Sequence, residues 1–475
     1  MTFSTRNSKL DLRFLVEIRV KMRTISPIDT PQSGFFDILS QLDVDDPLLV
    51  LGRAIDWSTL EQSLSVHYSD RGRAAKPIRL MCGLLILKQL YDLSDENVVV
   101  QWKLNPYYQV FCGEASFQTR LPCHSTELVK FRQRIGEVGV KHIFALSVAL
   151  HGESAEEPTV LVDTTVQEKA ITYPTDTKLA IKIINRLNKL AKTHGIKQRR
   201  TFVQEVKEQR LASRHFRHAR RRAKARKALK RLRTIAGILL RELQRKLPEK
   251  IALHEAERFA LYARVLAQQP KDKHKVYSLH EPDIHCIGKG KDHKPYEYGR
   301  KASVVATADS QVIVGVVSHD AHEHDSKTLK AALASANENR QTPVGTAVVD
   351  RGYKGCKRTV DIEVILPSAP LKRDDLQARQ RKRRLCQKRA AIEPVIGHLK
   401  HDFRLARNWL RGSEGDAINL LLAACAWNFR KWMVTFFLFE CRGALWVLWI
   451  KMDAQNHNEM LWVTLNSPPE HPEQT

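Results

Sequence analysis

Three acidic residues lie where a metal-dependent phosphoryl-transfer site would need them. Asp163 ends the apolar run 159–162, Asp350 ends the run 347–349, and Glu393 follows later in the chain. A carboxylate at the carboxyl end of a buried strand is held at the sheet edge, where ligands bind in open α/β sheets. Two such carboxylates and a third from a helix could bind two Mg²⁺ ions, which clamp the attacking and leaving oxygens. We therefore predict that Asp163, Asp350 and Glu393 are catalytic residues and metal ligands.

Two cations flank Glu393 at helical spacing. Arg389 precedes it by four residues and Lys400 follows it by seven, so the three share one helix face if the segment is helical. On that face the cations could grip phosphate oxygens beside a metal-bound carboxylate. Pro394 lacks an N–H and disfavours the helical conformation of the residue before it. Either the helix begins near Glu393 or it is kinked there.

The segments around these acids alternate between strand and helix patterns. Short β-rich runs occur at 159–164, 302–308, 311–317, 346–350 and 363–366. A turn joins the second run to the third as a hairpin, and a helical stretch precedes the run that ends in Asp350. The predicted fold class is α/β, with a ribonuclease-H-like mixed sheet flanked by helices. We assign residues 151–430 to this catalytic region.

A basic helical insertion is predicted to interrupt the catalytic region at about 178–275, where no strand pattern occurs. Its run 214–233 includes Arg221, Arg222 and Lys227 and contains no acid. At helical spacing these charges would ring every face and repel one another unless a partner neutralised them. We predict that the insertion contacts a DNA backbone with an affinity that falls steeply with salt. A disordered basic loop is the alternative.

Residues 26–150 are predicted to form an all-α N-terminal domain after a poorly patterned tail at 1–25. Ser125 has the sequence context of a helix N-cap, and apolar residues recur at helical spacing after it. Arg132 and Arg134 lie away from these apolar positions. Short helices followed by a basic amphipathic one are typical of helix-turn-helix DNA binding, although a solvated helix face has the same pattern.

The overall charge points to a polyanionic partner. The 475 residues have a net charge of +26, and a field of that size attracts nucleic acid. The eight cysteines form no CxxC pair. This favours free thiols in a reducing cytosol over disulfides or a zinc site.

The segment 431–475 is predicted to be an apolar helix and tail. Its stretch 432–450 resembles a membrane span, but Glu440, Arg442 and Gly443 interrupt it where charges are costly. We therefore expect a packed helix and no membrane association.

The polar loop 319–325 contains several histidines after a strand pattern. Their close spacing is not that of a tetrahedral zinc site, so we predict no zinc there. Asp325 is predicted to cap the helix that follows, with Ser326 as the competing cap.

Three motifs follow one another along the chain: DTT at 163–165, DRGY at 350–353 and R-x3-E-x6-K at 389–400. In this order they resemble the motifs of one family, the DDE transposases of bacterial insertion sequences, specifically the IS-five type. The resemblance extends to the motif YSDRGR at 68–73 and to the core segments 162–174 and 275–299. It covers roughly residues 26–430.

The resemblance implies a ribonuclease-H-like fold in which the three acids bind two Mg²⁺ ions, for which Mn²⁺ can substitute. It implies that Arg389 and Lys400 position DNA phosphates, with Arg351 and Tyr353 as further candidates. The implied activity is binding of the terminal inverted repeats, hydrolysis at the ends and joining of the 3′-hydroxyl to double-stranded target DNA. A homodimer is expected in the synaptic complex, in the bacterial cytoplasm and associated with the nucleoid.

Two other functions stay open. A ribonuclease-H-like nuclease without strand transfer would need the same acids, and a catalytically inactive DNA-binding regulator would have the same charge. A pre-cut donor end separates nuclease from transposase, because only a transposase joins that end to target DNA.

Overall fold

The computed structural model describes residues 38–69, 74–214, 218–288, 294–321, 323–356, 361–367 and 375–437. The predicted tail at 1–25, the start of the predicted N-terminal domain and positions 70–73 of the YSDRGR motif lie outside these residues. The first described helices are α1 (Pro47–Ala54), α2 (Trp57–Ser65), α3 (Ile78–Leu90), α4 (Asp95–Leu104), α5 (Pro106–Phe111) and α6 (Ser125–Ala149). Every residue of α3 except Arg79 is buried, which explains its nearly uniform apolar sequence.

The start of α6 differs from the prediction by one residue. Its N-cap is His124 and not Ser125, because a ring nitrogen of His124 accepts from the N–H of Thr126 at 3.3 Å. The carboxylate of Glu127 accepts in return from the N–H of His124 at 3.1 Å. This reciprocal capping box satisfies two backbone donors at the start of α6.

Arg132 of α6 lies in the interior, so the prediction that it contacts DNA is wrong. The residue is 4% exposed, and its two terminal nitrogens donate to the carboxylate of Asp95 on α4 at 2.8 and 2.5 Å. Lys88 of α3 contacts the same carboxylate at 2.8 Å. Arg132 therefore joins α6 to α4. Arg134 is half-buried, with its guanidinium carbon 4.8 Å from the ring centroid of Tyr68.

Six strands form one mixed sheet: β1 (Thr159–Glu168), β2 (His285–Gly288), β3 (Tyr296–Thr307), β4 (Ile313–His319), β5 (Thr346–Val348) and β6 (Glu363–Ile365). β1 is antiparallel to β3 on one side and parallel to β5 on the other, and β6 is parallel to β5. Both β2 and β4 pair with the other edge of β3. The predicted hairpin is β3–β4, whereas β2 was not predicted because four residues carry too little pattern.

Between β1 and β2 the chain forms α7 (Asp176–Thr193), α8 (Val203–Ala212), α9 (Arg222–Lys246), α10 (Glu249–His254) and α11 (Ala256–Ala267). Apolar residues of α7, α9 and α11 form a core cluster of their own. The expectation that charge rings every face of this segment is wrong for α9. Ala225, Ala228 and Leu232 lie three or four residues apart between the cations and form a buried face. The helix is therefore amphipathic.

The two ends of this helical insertion lie side by side. Asp176 at the start of α7 contacts the Nζ of Lys275, which follows α11, at 2.9 Å. The same carboxylate contacts Arg233 of α9 at 3.1 Å. One acidic residue thus ties the entry of the insertion to its exit.

Three helices flank the sheet in the remaining chain: α12 (Asp325–Glu338), α13 (Leu376–Lys388) and α14 (Ile392–His401). α12 packs closely on β4 because Gly315 has no side chain; a Cβ there would lie 2.6 Å from the nitrogen of Ala336. A further segment is helical over 412–437. This mixed sheet with helices against it confirms the predicted α/β class and is consistent with a ribonuclease-H-like fold.

Most of the buried apolar residues of the N-terminal helices and many of those of the sheet belong to one cluster. Asn428 ties three elements together inside it. Its amide donates to the hydroxyl of Ser147 on α6 at 3.2 Å and exchanges two hydrogen bonds with the backbone of Ile313 on β4 at 2.9 and 3.0 Å. The boundary predicted at residue 150 therefore does not separate two cores.

The apolar helix predicted at 431–475 is described only as far as residue 437. Residues 438–475, with the interrupting charges, lie outside the described part. Within the described residues, none of the helices combines the length and the apolar character that crossing a membrane requires.

Candidate active site

The parallel pairing of β1 with β5 determines the spacing of the two aspartates. Thr159 is paired with Thr346 and Leu161 with Val348, an offset of 187 residues (346 − 159). Asp163 and Asp350 are separated by the same offset (350 − 163). If the pairing of β1 with β5 is continued for two residues beyond Leu161 and Val348, Asp163 and Asp350 lie side by side.

Asp163 does not end its strand, which corrects the prediction. β1 continues to Glu168, because the β-branched residues after Asp163 pair with β3, and Asp163 itself is opposite Val304. The neighbouring strand β5 stops at Val348, just before Asp350. The open edge beside Asp163 thus results from the end of β5.

Each aspartate uses one carboxylate oxygen for a backbone hydrogen bond. Oδ1 of Asp163 accepts from the N–H of Thr164 at 2.7 Å, and Oδ1 of Asp350 accepts from the N–H of Gly352 at 2.8 Å. A Cβ at Gly352 would lie 3.0 Å from that same Oδ1, so glycine leaves room for the bond. Both carboxylates are thereby held in one orientation.

The other oxygens meet around Arg389. One terminal nitrogen of Arg389 lies 3.2 Å from Oδ2 of Asp163 and 4.0 Å from Oδ2 of Asp350. The other terminal nitrogen lies 3.6 Å from Oε1 of Glu393. Three acids that are distant in sequence therefore surround one guanidinium group.

The sequence left two conformations open at Glu393, a helix that begins near this residue or a helix that is kinked there. The structure has the first. A 3₁₀ turn at Arg389–Ala391 leads into α14, which begins at Ile392. Pro394 lies in the first turn of α14, where a missing N–H breaks no helical hydrogen bond. Arg389 still contacts Glu393 across this junction, as the four-residue spacing predicts.

Lys400 lies at the other end of α14. Seven residues at a rise of 1.5 Å place it about 10 Å from Glu393 along the helix axis. Its Nζ lies 3.8 Å from Oε1 of Glu297 on β3, and its side chain is mostly buried. Of the two cations that were expected beside Glu393, Arg389 contacts all three acids, whereas Lys400 lies against Glu297 on β3.

Asp325 is a fourth carboxylate near the site that the motif analysis did not identify. Its Oδ1 accepts from the hydroxyl of Thr164 and from Lys301, each at 2.9 Å. Burial acts against its ionisation, but these hydrogen bonds outweigh burial and hold the pKa of Asp325 below its ordinary value. It does not cap α12 as predicted, and neither does Ser326; the N-cap is His324, whose ring accepts from the N–H of Ser326.

Tyr353 and Arg351 differ in their access to solvent. Tyr353 is fully buried, and burial, with Asp163 nearby, raises the pKa of its hydroxyl. The prediction that Tyr353 positions a DNA strand is therefore wrong, because the 3₁₀ turn after Asp350 directs it inward. Arg351 is exposed and donates to the carbonyl oxygen of Pro367 at 3.3 Å.

The donor set fits a divalent cation. Carboxylate oxygens are preferred ligands of Mg²⁺, and here three carboxylates converge on a positive charge that Arg389 supplies. Within the described part of the chain, no three His, Cys, Asp or Glu residues are already grouped closely enough to hold a metal ion. The side chain of Asp163 is 16% exposed and that of Glu393 is 66% exposed, so the group opens to solvent on the Glu393 side.

Two parts of the chain match transposase family models. Residues 36–134 match a family described as Transposase domain (DUF772), and residues 271–429 match one described as Transposase DDE domain. This chain belongs to the DDE transposases of insertion sequences. The DDE match includes Asp350, Arg389 and Glu393, whereas Asp163 lies between the two matched ranges. For this transposase, the assignment of Asp163 therefore rests on geometry.

The transposase is also similar to a protein of Rhizobium meliloti called "Uncharacterized protein ORF8 in nfe locus". The two are 39% identical over 200 residues, which cover 40% of this chain and 97% of that protein. No solved structure matches the transposase. DDE transposases generally use divalent metal ions and act on DNA.

Proposed function

We propose that this transposase is of the IS-five type and uses Mg²⁺ to cut and join DNA. It binds the terminal inverted repeats of its insertion sequence, hydrolyses phosphodiester bonds at the ends and joins the freed 3′-hydroxyl to target DNA. It acts in the bacterial cytoplasm on the nucleoid, as a homodimer that holds two ends. The observation that carries the proposal is the convergence of Asp163, Asp350 and Glu393 on one positive charge at an open sheet edge.

The three carboxylates would hold two Mg²⁺ ions, or Mn²⁺, which neutralise phosphate charge and activate the attacking oxygen. The residues of the chain orient these ligands. The backbone hydrogen bonds to Asp163 and Asp350 leave their Oδ2 atoms facing Arg389, and these are the oxygens that would bind the metal. Asp325 accepts a hydrogen bond from the hydroxyl of Thr164 and so holds this residue in place. The backbone N–H of Thr164, which donates to Asp163, is held with it. Preorganised ligands of this kind lose little entropy when they bind the metal.

Several basic residues would bind the DNA backbone. Arg351 is exposed directly after Asp350, and the half-buried Arg134 of α6 is a further candidate. Arg389 would move from the carboxylates to a phosphate when metal enters. Lys400 would complete the phosphate contacts at the far end of α14.

The decisive experiment supplies the protein with a pre-cut transposon end, a target plasmid and Mg²⁺. We expect a covalent product in which the 3′-hydroxyl of the end is joined to the target, because the site then needs to perform only the second displacement. Cleavage of an uncut end without this product would identify a nuclease. DNA binding without either reaction would identify an inactive regulator.

The insertion contributes a second basic surface. Arg221, Arg222 and Lys227 are exposed near the start of α9. Later cations of α9 pair with acids, whereas within the described residues no carboxylate pairs with these three. Each phosphate contact contributes about 0.9 to the slope of log affinity against log salt. We therefore expect replacement of all three by glutamine to reduce that slope by roughly 3, as measured by fluorescence anisotropy between 50 and 200 mM salt.

A control variant removes three positive charges from helices outside the insertion. Lys141, Lys327 and Lys330 are exposed on α6 and α12, and their replacement by glutamine should lower the slope much less. Equal effects of the two triple variants would show that only net charge matters and that the insertion has no specific role.

A further inference from the structure

Glu297 of β3 is a buried carboxylate that is not one of the three acids of the active site. It belongs to the core segment 275–299, one of the stretches that resemble the transposase family. The residue is 6% exposed, and within the described residues its Oε2 accepts no hydrogen bond. A buried acceptor that has lost water without gaining a partner costs free energy. The stability of the fold therefore does not explain this glutamate.

Glu297 lies just beyond the end of the strand that contains Asp163. β1 ends at Glu168, and the N–H of Lys169 after it donates to the carbonyl oxygen of Tyr298 at 3.0 Å. Glu297 is the adjacent residue of β3. Its carboxylate therefore lies at the carboxyl end of β1, the end of the sheet at which β5 stops and the active site opens.

The carboxylate of Glu297 faces Lys400, the second cation of the motif R-x3-E-x6-K. The Nζ of Lys400 lies 3.8 Å from Oε1 of Glu297. This ionic contact is too long for a hydrogen bond, for which N···O distances are about 2.7–3.2 Å. The side chain of Lys400 is 24% exposed and that of Glu297 is 8% exposed, so the ammonium group retains access to solvent.

This pair differs from the buried ion pairs that join the N-terminal helices. Both carboxylate oxygens of Asp95 accept from Arg132, at 2.8 and 2.5 Å, and Lys88 contacts the first of them at 2.8 Å. Short charge-assisted hydrogen bonds of this kind are strong and hold their partners together. Because the contact between Glu297 and Lys400 is longer, the ammonium group can leave its carboxylate at a lower cost.

The end of α14 is anchored by contacts other than this pair. The N–H of Ala406 donates to the carbonyl oxygen of Lys400 at 3.3 Å. The amide of Gln89 on α3 donates to the carbonyl oxygen of Phe403 at 2.7 Å and so ties the turn after α14 to the N-terminal helices. The backbone at Lys400 is thus held in place independently of Glu297, whose carboxylate acts on the direction of the lysine side chain.

We propose that Glu297 is a positioning residue, which holds the ammonium group of Lys400 at the carboxyl end of β1 until a phosphate of the DNA end replaces the carboxylate. A cation that is already in place loses little freedom when the phosphate arrives. Lys400 lies about 10 Å from Glu393 along α14, the rise of roughly three base pairs, so its phosphate is near the one that reacts. This inference rests on the proposed function, since it concerns the same DNA end.

The test measures cleavage of a labelled transposon end in Mg²⁺ by four full-length proteins: the unmodified chain, Glu297→Gln, Lys400→Met and the double variant. Glu297→Gln is expected to lower the rate at saturating protein roughly tenfold and to keep the affinity for the end within about twofold, because orientation is lost and not charge attraction. In the Lys400→Met background the same substitution should not lower the rate further, since Glu297 acts through that lysine.

Thermal unfolding of the same four proteins gives a second readout. Lys400→Met removes a cation from a buried carboxylate and should lower the melting temperature, whereas the double variant should recover part of the loss. Glu168→Gln is the matched control, because it removes a carboxylate from the end of β1, where Glu168 pairs with Lys294. This control should cleave at the normal rate.

A normal rate of cleavage in either single variant overturns the inference. So do losses of rate that multiply in the double variant, because Glu297 would then act independently of Lys400. A loss of end affinity as large as the loss of rate in Glu297→Gln also contradicts it, since the carboxylate would then serve binding and not orientation. An unmodified protein that cleaves no transposon end would instead count against the proposed function.

Discussion

Replacing Asp163 with asparagine is expected to lower the rate of DNA cleavage about a thousandfold or more, with little change in end binding. Metal ions supply several kcal/mol of transition-state stabilisation, and each 1.36 kcal/mol corresponds to a factor of ten in rate. Asparagine keeps the size and the hydrogen bond to Thr164 but removes the charge. The same result is expected for Asp350→Asn and Glu393→Gln. Cleavage of a labelled end in Mg²⁺ and a gel-shift titration measure the two quantities.

The control for this series is Glu338→Gln, which removes an exposed carboxylate at the end of α12 and causes the same change in net charge. It should cleave at the normal rate. Substantial cleavage by any of the three site variants would exclude that residue from the metal ligands. Loss of end binding in all three would point to unfolding, which circular dichroism detects.

The Arg389→Gln variant is expected to be less stable without metal and to respond to Mn²⁺ at lower concentrations. In the metal-free protein the guanidinium group offsets three carboxylates, so its removal should cost about 1–3 kcal/mol of stability. A cation that enters the site no longer has to displace it, and a tenfold gain in affinity corresponds to about 1.4 kcal/mol. Thermal unfolding across a Mn²⁺ series measures both effects, because a ligand that binds the folded state raises its melting temperature.

Arg381→Gln is the matched control, since Arg381 pairs with a single carboxylate, that of Glu363, at the surface of α13. This exposed pair should contribute less than 1 kcal/mol and should not alter the Mn²⁺ response. An unchanged Mn²⁺ response in Arg389→Gln would show that Arg389 does not compete with metal. A weaker affinity for DNA in that case would leave phosphate binding as its role.

The positions of the three acids could be predicted because each lies in a local pattern. Apolar β-branched runs precede Asp163 and Asp350, and both runs became paired strands whose register matches the separation of the two residues. The third acid was accompanied by Arg389 at a four-residue spacing, which persisted through the turn before α14. Local patterns of this kind survive folding when tertiary contacts agree with them.

Other side chains depend on partners that a local pattern does not reveal. Arg132 appeared to be solvent-facing, but Asp95, 37 residues earlier, draws it into the interior. Asp325 acquires its place from Thr164, which is 161 residues away and on a different element. The charge of α9 concealed small and apolar residues at a regular spacing, because alanines contribute little to a hydrophobicity pattern. For Arg132 and Asp325 the deciding information is a long-range contact.

The contact between Asp176 and Lys275 has a consequence for how this protein can diversify. A segment of about 100 residues leaves the catalytic sheet and returns to it at one junction, and it contains its own core. Its length therefore contributes to the 187 residues between the two aspartates in sequence but not to their distance in space. A change in the length of this segment would therefore alter the sequence separation of the two aspartates without shifting a single pair in the strand register.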